Sequence, residues 1–255
     1  MRINHNITAL NNHRNMSLNN VATGKNMEKL SSGLRINRAG DDAAGLAVSE
    51  KMRGQIRGLE QAQRNVQDGI SFVQTAEGAM NEISSMLGRM KELQVQRANG
   101  TYTTSQKANI DVELNALSSQ IDSIMDNTTF NGINITSTIS IQADDNSVTI
   151  SITGIATTSF YGLATSAGIS GIESAIEAVS TQRAQLGAMQ NRLEYTSNNL
   201  GTTIENLTAS ESRIRDTDMA KEMVELSKNQ ILLQSSQAML AQANSAPQGV
   251  LSLLR

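Results

Sequence analysis

Seven apolar residues recur at a fixed interval of seven along the C-terminal half of the chain: Ile172, Val179, Leu186, Leu193, Leu200, Leu207 and Ile214. Seven residues are two turns of α-helix, so these side chains line one stripe. At about 1.5 Å per residue, positions 172–214 make a rod of roughly 65 Å. A chain holding such a rod must fold around long helices. The positions four residues further on, Ile176, Arg183, Gln190, Ser197, Ile204 and Glu211, are mixed in character. A single narrow stripe does not make a strong isolated coiled coil, so the rod needs neighbours.

The N-terminal half supplies one. Leu59, Val66, Val73, Met80 and Leu87 repeat at the same interval, and Ala62, Gly69, Ala76, Ile83 and Met90 form a second line three residues on. Small residues early in that line let helices approach closely. Asp41 and Asp42 precede the pattern as N-cap candidates, and Asn99 with Gly100 is a stop signal. A third helix is predicted from Ile110, Leu114, Leu117, Ile121 and Ile124, capped by Thr104 or Ser105 and ended by 127–132. The two long helices are expected to pack antiparallel. Gly54 and Gly58 form a GxxxG whose intervening Gln55 and Arg57 exclude a membrane dimer, leaving close helix contact as the reading.

From 133 to about 171 the composition changes to Ser, Thr, Ile and Gly. Ile139 and Ile141, then Val148, Ile150 and Ile152, alternate with polar residues around 143–147, which predicts a β-hairpin and the only strand-like part of the chain. The fold class is therefore mainly α: long antiparallel coiled-coil-like helices with a small central β-hairpin region.

The outer ends differ. Ile3, Ile7, Leu10, Val21 and Leu30 are interrupted by Asn-rich stretches, and Met219, Met223, Leu226, Leu233 and Leu240 form a comparable weak pattern. Such ends are poorly helical alone but apolar enough to pack with a partner, and are expected to fold on assembly. Pro247 is predicted to end the last helix. Five segments follow: 1–40 and 216–255 as terminal helices, 41–130 and 172–215 as the two parts of a helical domain, and 131–171 as a short β-rich region.

Catalytic groups are missing from this pattern. His5 and His13 are the only histidines, cysteine is absent, and no phosphate loop or dinucleotide fingerprint occurs, so no catalytic, cofactor or metal site is expected. Aromatic residues make up 2% of the chain, which excludes a core built on them. The net charge of −3 argues against nucleic-acid binding, and the basic stretch 1–40 carries no aromatic residue to stack on bases. No window approaches the roughly 20 apolar residues of a membrane span. Residues 1–20 also lack the apolar run of a secretory signal, so export is expected to use a dedicated route without a cleaved signal peptide.

Residues 31–59, SSGLRINRAGDDAAGLAVSEKMRGQIRGL, resemble the N-terminal region of bacterial flagellin. The resemblance continues through QDGISFVQTAEGAMNEI (67–83), QRAQLGAMQNRLEYTSNNL (182–200), ESRIRDTDMAKEM (211–223) and QAMLAQANSAPQGVLSLLR (237–255). It implies a subunit that self-assembles into an extracellular filament for motility. Its paired ends would form an inner tube, the adjoining segments a surrounding helical domain, and the short 131–171 an outer surface. Implied partners are copies of itself, the filament cap and hook-junction proteins, and an export chaperone on 219–240. Residues 88–96, GRMKELQVQ, also resemble the segment recognised by Toll-like receptor 5, with Arg89 and Leu93 matching and Glu113 as the acidic residue on the next helix. Lys91, Gly88, Gln94 and Arg97 depart from that pattern. The alternatives are a hook–filament junction protein, which shares the terminal plan, and a monomeric secreted helical adhesin or effector.

Overall fold

The computed structural model describes residues 6–157, 160, 162–163 and 168–253, and their side chains except at 247, 248 and 250–253. Arg2, Ile3 and His5 lie outside the described residues. The helices are α1 (Ile7–Ser32), α2 (Ala43–Ala98), α3 (Thr104–Asn127), α4 (Gly168–Arg215) and α5 (Met219–Leu253), and the strands β1 (Thr129–Phe130), β2 (Ile133–Asn134), β3 (Ile139–Gln142) and β4 (Thr149–Ile152). The chain divides into two compact units, 55–206 and the two ends together, 1–54 with 207–255.

In the unit 55–206, α2 and α4 run antiparallel. Lys91 pairs with Glu173 at 3.0 Å and Glu77 with Arg183 at 3.7 Å, so residue numbers rise along one helix as they fall along the other. Both apolar lines of α2 are buried, as are Ile172, Val179, Leu186, Leu193 and Leu200 of α4. Helix α3 folds back on α2 through Arg89–Glu113 and Arg97–Asp111 ion pairs. Its buried face is Ile110, Leu114, Ser118, Ile121 and Met125, while the expected Leu117 and Ile124 are only half-buried. The contact is centred part of a turn round the helix from the predicted stripe. The small Ser118 is buried in that face. The cap also moves by one residue: Thr103, not Thr104 or Ser105, accepts from the Gln106 amide, and the Gln106 side chain accepts from the Thr103 amide. That reciprocal box satisfies two donors that helix geometry leaves open.

The predicted hairpin is present as β3 and β4, paired antiparallel with Ile139 opposite Ile152 and Ile141 opposite Ile150. It is not the only strand pair. β1 and β2 form a second hairpin through Asn131 and Gly132, whose φ values of 51° and 78° are those of a tight mirror-image turn. The 127–132 segment read as a helix stop therefore also makes a turn. Asn134 fastens it to α3 by donating to the carbonyls of Met125 and Asp126. Gly69 lets the hairpin close on α2, since a β-carbon there would strike the Ile141 side chain. Gly58, expected at a helix contact, faces Asp145 in the hairpin turn instead, and Gly54 has open space around it.

In the unit formed by the two ends, α1 and α5 pack against each other. Asn6 caps α1 through the Ala9 amide and donates to the Ala243 carbonyl at 2.7 Å. Asn26 is the buried residue of α1; with its amide nitrogen turned toward acceptors, it donates to Glu222 and accepts from Asn229, both at 3.1 Å. A buried amide paired in this way favours one register of two helices over its neighbours. The Asn-rich stretches do not interrupt α1, because these side chains cap it and bind across to α5. Pro247 does not end α5 either, which runs to Leu253. Proline removes one hydrogen bond from a helix, and here the backbone continues past it. The two links between helices, 33–42 and 216–218, are tied together: Arg35 N–H donates to Arg215 C=O and Thr217 N–H to Gly33 C=O, with Gly33 in the left-handed region at φ 71°. Asp42 caps α2 through the Gly45 amide at 2.9 Å.

Asp41 has a different role from its neighbour. Its carboxylate accepts from the Arg38 and Asn37 amides, and Lys25 lies 3.9 Å away. The Arg38 amide bond lowers its pKa from the ordinary 3.8, assisted by the Asn37 bond and the charges of Lys25 and Lys29. A depressed carboxylate stabilises the fold above its unfolded pKa, and that contribution disappears as pH falls through the folded value. Asp41→Asn is thus expected to lower thermal stability slightly at neutral pH, and the difference from the parent chain is expected to shrink as pH falls below 3.8 and to vanish once pH has passed the lowered folded value. Paired melting curves across that range check it; a difference that persists unchanged into acid would assign the effect to something other than the charge.

Candidate self-association surface

Most of the exposed large apolar residues described lie on the helices of the chain ends. On α1, Ile7, Leu10, Leu18 and Val21 are exposed. At about 100° per residue they fall within roughly 80° of arc, one stripe facing solvent, and Met27 is exposed well away from it. On α5, Met219, Met223, Val224, Ile231, Leu232 and Met239 are exposed, and they spread over roughly 220°. No described α5 side chain is fully buried. Exposed apolar residues thus stand on more than one side of α5, interleaved with polar ones, where a helix at rest on a surface shows a single apolar stripe, and α1 is the helix packed beside it. Sequence periodicity selected Met219 and Met223 here, but missed Val224, Ile231 and Leu232. The signal that would have found them is the spread of apolar residues over more than one side.

The remaining residues singled out from sequence are placed as follows. Leu59, Val66, Val73, Met80 and Leu87 face the core of the 55–206 unit with the first five members of the α4 series, while Leu207 and Ile214, in the unit of the chain ends, are half-buried. Arg89 and Glu113 are brought together, the guanidinium donating to Glu113 at 3.0 Å and to Glu92 at 3.1 Å. The Glu113 bond, then the Glu92 bond, raises the Arg89 pKa further above its ordinary value. Leu93 is 2% exposed and its side chain is spent inside the fold. Beside it Gln94 is buried with an amide nitrogen lacking a partner. On α3, burial and the nearby Asp126 raise the pKa of Asp122. His13 is exposed, and no group of three metal-ligating side chains occurs among the described residues. No described helix is long and apolar enough to cross a membrane.

Long paired helices, a small β region and an uncovered apolar surface at the chain ends define a structural helical protein. Comparison with known proteins gives its family. The bacterial flagellin N-terminal helical region matches residues 3–141, and the bacterial flagellin C-terminal helical region matches 169–254. Flagellin of Bacillus subtilis (strain 168) is 50% identical over 306 aligned positions, covering 100% of both chains. Flagellin of Halalkalibacterium halodurans is 52% identical over 272, and the flagellar filament 33 kDa core protein of Treponema phagedenis 48% over 286, again covering 100% of each. The chain belongs to the bacterial flagellin family. Alignments longer than 255 positions mean that these relatives carry residues with no counterpart here.

Proposed function

We propose that this chain is the structural subunit of a bacterial flagellar filament, assembling outside the cell with copies of itself through its terminal helices. The observation that carries the reading is α5, which exposes six large apolar residues on more than one side with α1 packed beside it. Copies joined head to tail through unlike faces make a contact that does not close, and so grow as a helical filament. Each half-exposed Leu, Ile, Val or Met buried in that contact contributes on the order of 1 kcal/mol, opposed by the rigid-body and side-chain entropy lost on docking. In this reading 1–40 and 216–255 form the inner part of the filament, 41–130 and 172–215 the helical wall, and 131–171 the outer surface. The cap, hook-junction proteins and an export chaperone on 219–240 are its partners in delivery. Family membership and the relatives' names support the reading, as does the scarcity of charge on the exposed α5 residues.

Seeded polymerisation tests it. Purified chain added to short filament fragments is expected to grow thin tubes, followed by light scattering and negative-stain microscopy, while a truncation lacking 1–40 and 216–255 does not. A full chain that stays monomeric at high concentration and salt overturns the proposal in favour of a junction protein or a monomeric effector.

A finer part of the proposal is recognition by Toll-like receptor 5 through Arg89 and Glu113, whose paired charges are half-exposed. Leu93, being buried, would hold this part of α2 in place rather than touch the receptor. Arg89→Ala is expected to reduce receptor signalling about tenfold or more, the loss of one charge-assisted contact. Unchanged potency removes Arg89 from the site.

A further inference from the structure

The twelve methionines and absent cysteine make thioethers the only sulfur groups of this chain. They sort by place. Met80, Met90 and Met125 are 0% exposed in the helical core of the 55–206 unit, whereas Met27, Met219, Met223 and Met239 are 51%, 48%, 52% and 56% exposed on α1 and α5. Met16, Met52, Met86 and Met189 are partly covered, so the four most exposed of the described thioethers lie on the helices that the filament-subunit reading buries.

We infer that Met27, Met219, Met223 and Met239 form an oxidation site that governs whether a free copy can join a filament. The inference rests on the filament-subunit reading. A two-electron oxidant of the peroxide class transfers one oxygen atom to the thioether sulfur. The S–O bond forms, the O–O bond breaks, the sulfur loses two electrons and the peroxide leaves as water. The product replaces a soft, adaptable apolar group with a strong dipole that accepts hydrogen bonds and donates none. In a free copy that dipole is solvated and the helix is undisturbed. Assembly strips the water from it, and burying a polar group without a partner opposes docking. Protection runs the other way: once a copy is docked, the sulfurs are covered and the oxidant cannot reach them. Exposure and damage are therefore confined to the unassembled chain, and oxidised copies are rejected before they enter the polymer.

The test treats full-length chain, and separately preformed filaments, with the same dose of hydrogen peroxide. Sulfoxides are then located by peptide mass mapping, helicity is read by far-ultraviolet circular dichroism, and seeded growth is measured. The expected result is sulfoxide at the four sites in the free chain, reduced Met80, Met90 and Met125, unchanged helicity and growth slowed at least about tenfold. The four sites stay reduced in filaments, and the variant M27L/M219L/M223L/M239L keeps growing after peroxide. Undiminished growth of the oxidised chain overturns the inference, as does growth lost only together with helicity or with oxidation of the methionines of the 55–206 unit, Met80, Met86, Met90, Met125 and Met189. Should the leucine variant not grow even untreated, equal sulfoxide formation in free chain and filament overturns it, and protection in the filament sustains it. Failure of the untreated parent chain to grow is a separate outcome, which removes the filament reading and this inference with it.

Discussion

Val224→Glu combined with Ile231→Glu leaves the free chain folded and stops it adding to filament seeds. Both side chains are about two-thirds exposed, 67% and 65%, so each carboxylate is solvated in the free chain. Glutamate is also a better helix former than valine or isoleucine, and Lys228 follows position 224 by one turn. The change in monomer stability is therefore expected to stay within about 0.5 kcal/mol. Assembly must remove the water from both new charges, which costs several kcal/mol for an unpaired ion. Even about 1.4 kcal/mol apiece multiplies to roughly 100-fold in the critical concentration for growth. Val148→Glu is the control: it is 55% exposed, but in the turn of the β3–β4 hairpin that the proposal places outside the contact. Light scattering with seeds, beside melting curves of the free chains, separates the outcomes. If the double variant elongates seeds as fast as the parent chain, the exposed face of α5 is not the assembly surface.

Much of the helical plan was legible because its signal repeats. Interval-seven series in both halves led to α2 and α4, and their burial follows from two stripes meeting. Partner choice within the fold was less visible. The β1–β2 hairpin was missed although Asn131 and Gly132 are a strong turn pair, because two-residue strands are too short to alternate. The α3 stripe was offset because Ser118 and Met125 were not counted as contact residues, and packing rather than hydropathy selected them. Asn residues of α1 break its apolar pattern, yet Asn6 caps the helix and, with Asn26, links it to α5, a role that exists only once α5 is alongside. The surface at the chain ends was half-legible. A search for one stripe finds Met219 and Met223 and passes over Val224, Ile231 and Leu232, since apolar residues on more than one side of a helix leave no single stripe to find. Arg89 and Glu113 stand 24 residues apart, and only the fold-back of α3 joins them.

The interval-seven series of α4 also hides a difference in energy that only the structure reveals. Leu193→Ala is expected to destabilise the 55–206 unit by about 3–5 kcal/mol, the upper part of the range for a buried leucine. Its side chain is 0% exposed and faces Gly69, which has no side chain of its own to move into the vacated space, while Ile141 is held by the hairpin pairing. A site that cannot collapse keeps its cavity. Leu207→Ala, fourteen residues on in the same series but half-buried, is expected to cost about 1 kcal/mol. The measurement can be made selective, because all three Phe and all three Tyr fall between 72 and 195, within the 55–206 unit. Near-ultraviolet circular dichroism during urea unfolding therefore reports on that unit alone. Leu193→Ala should move its midpoint to markedly lower urea with an unchanged slope, which marks a change in stability rather than in compactness. Leu207→Ala should leave the same midpoint nearly in place. Equal shifts for the two would mean that a side chain outside the 55–206 unit matters to it as much as one buried in its core, and that the burial seen at Leu193 carries no special energetic weight.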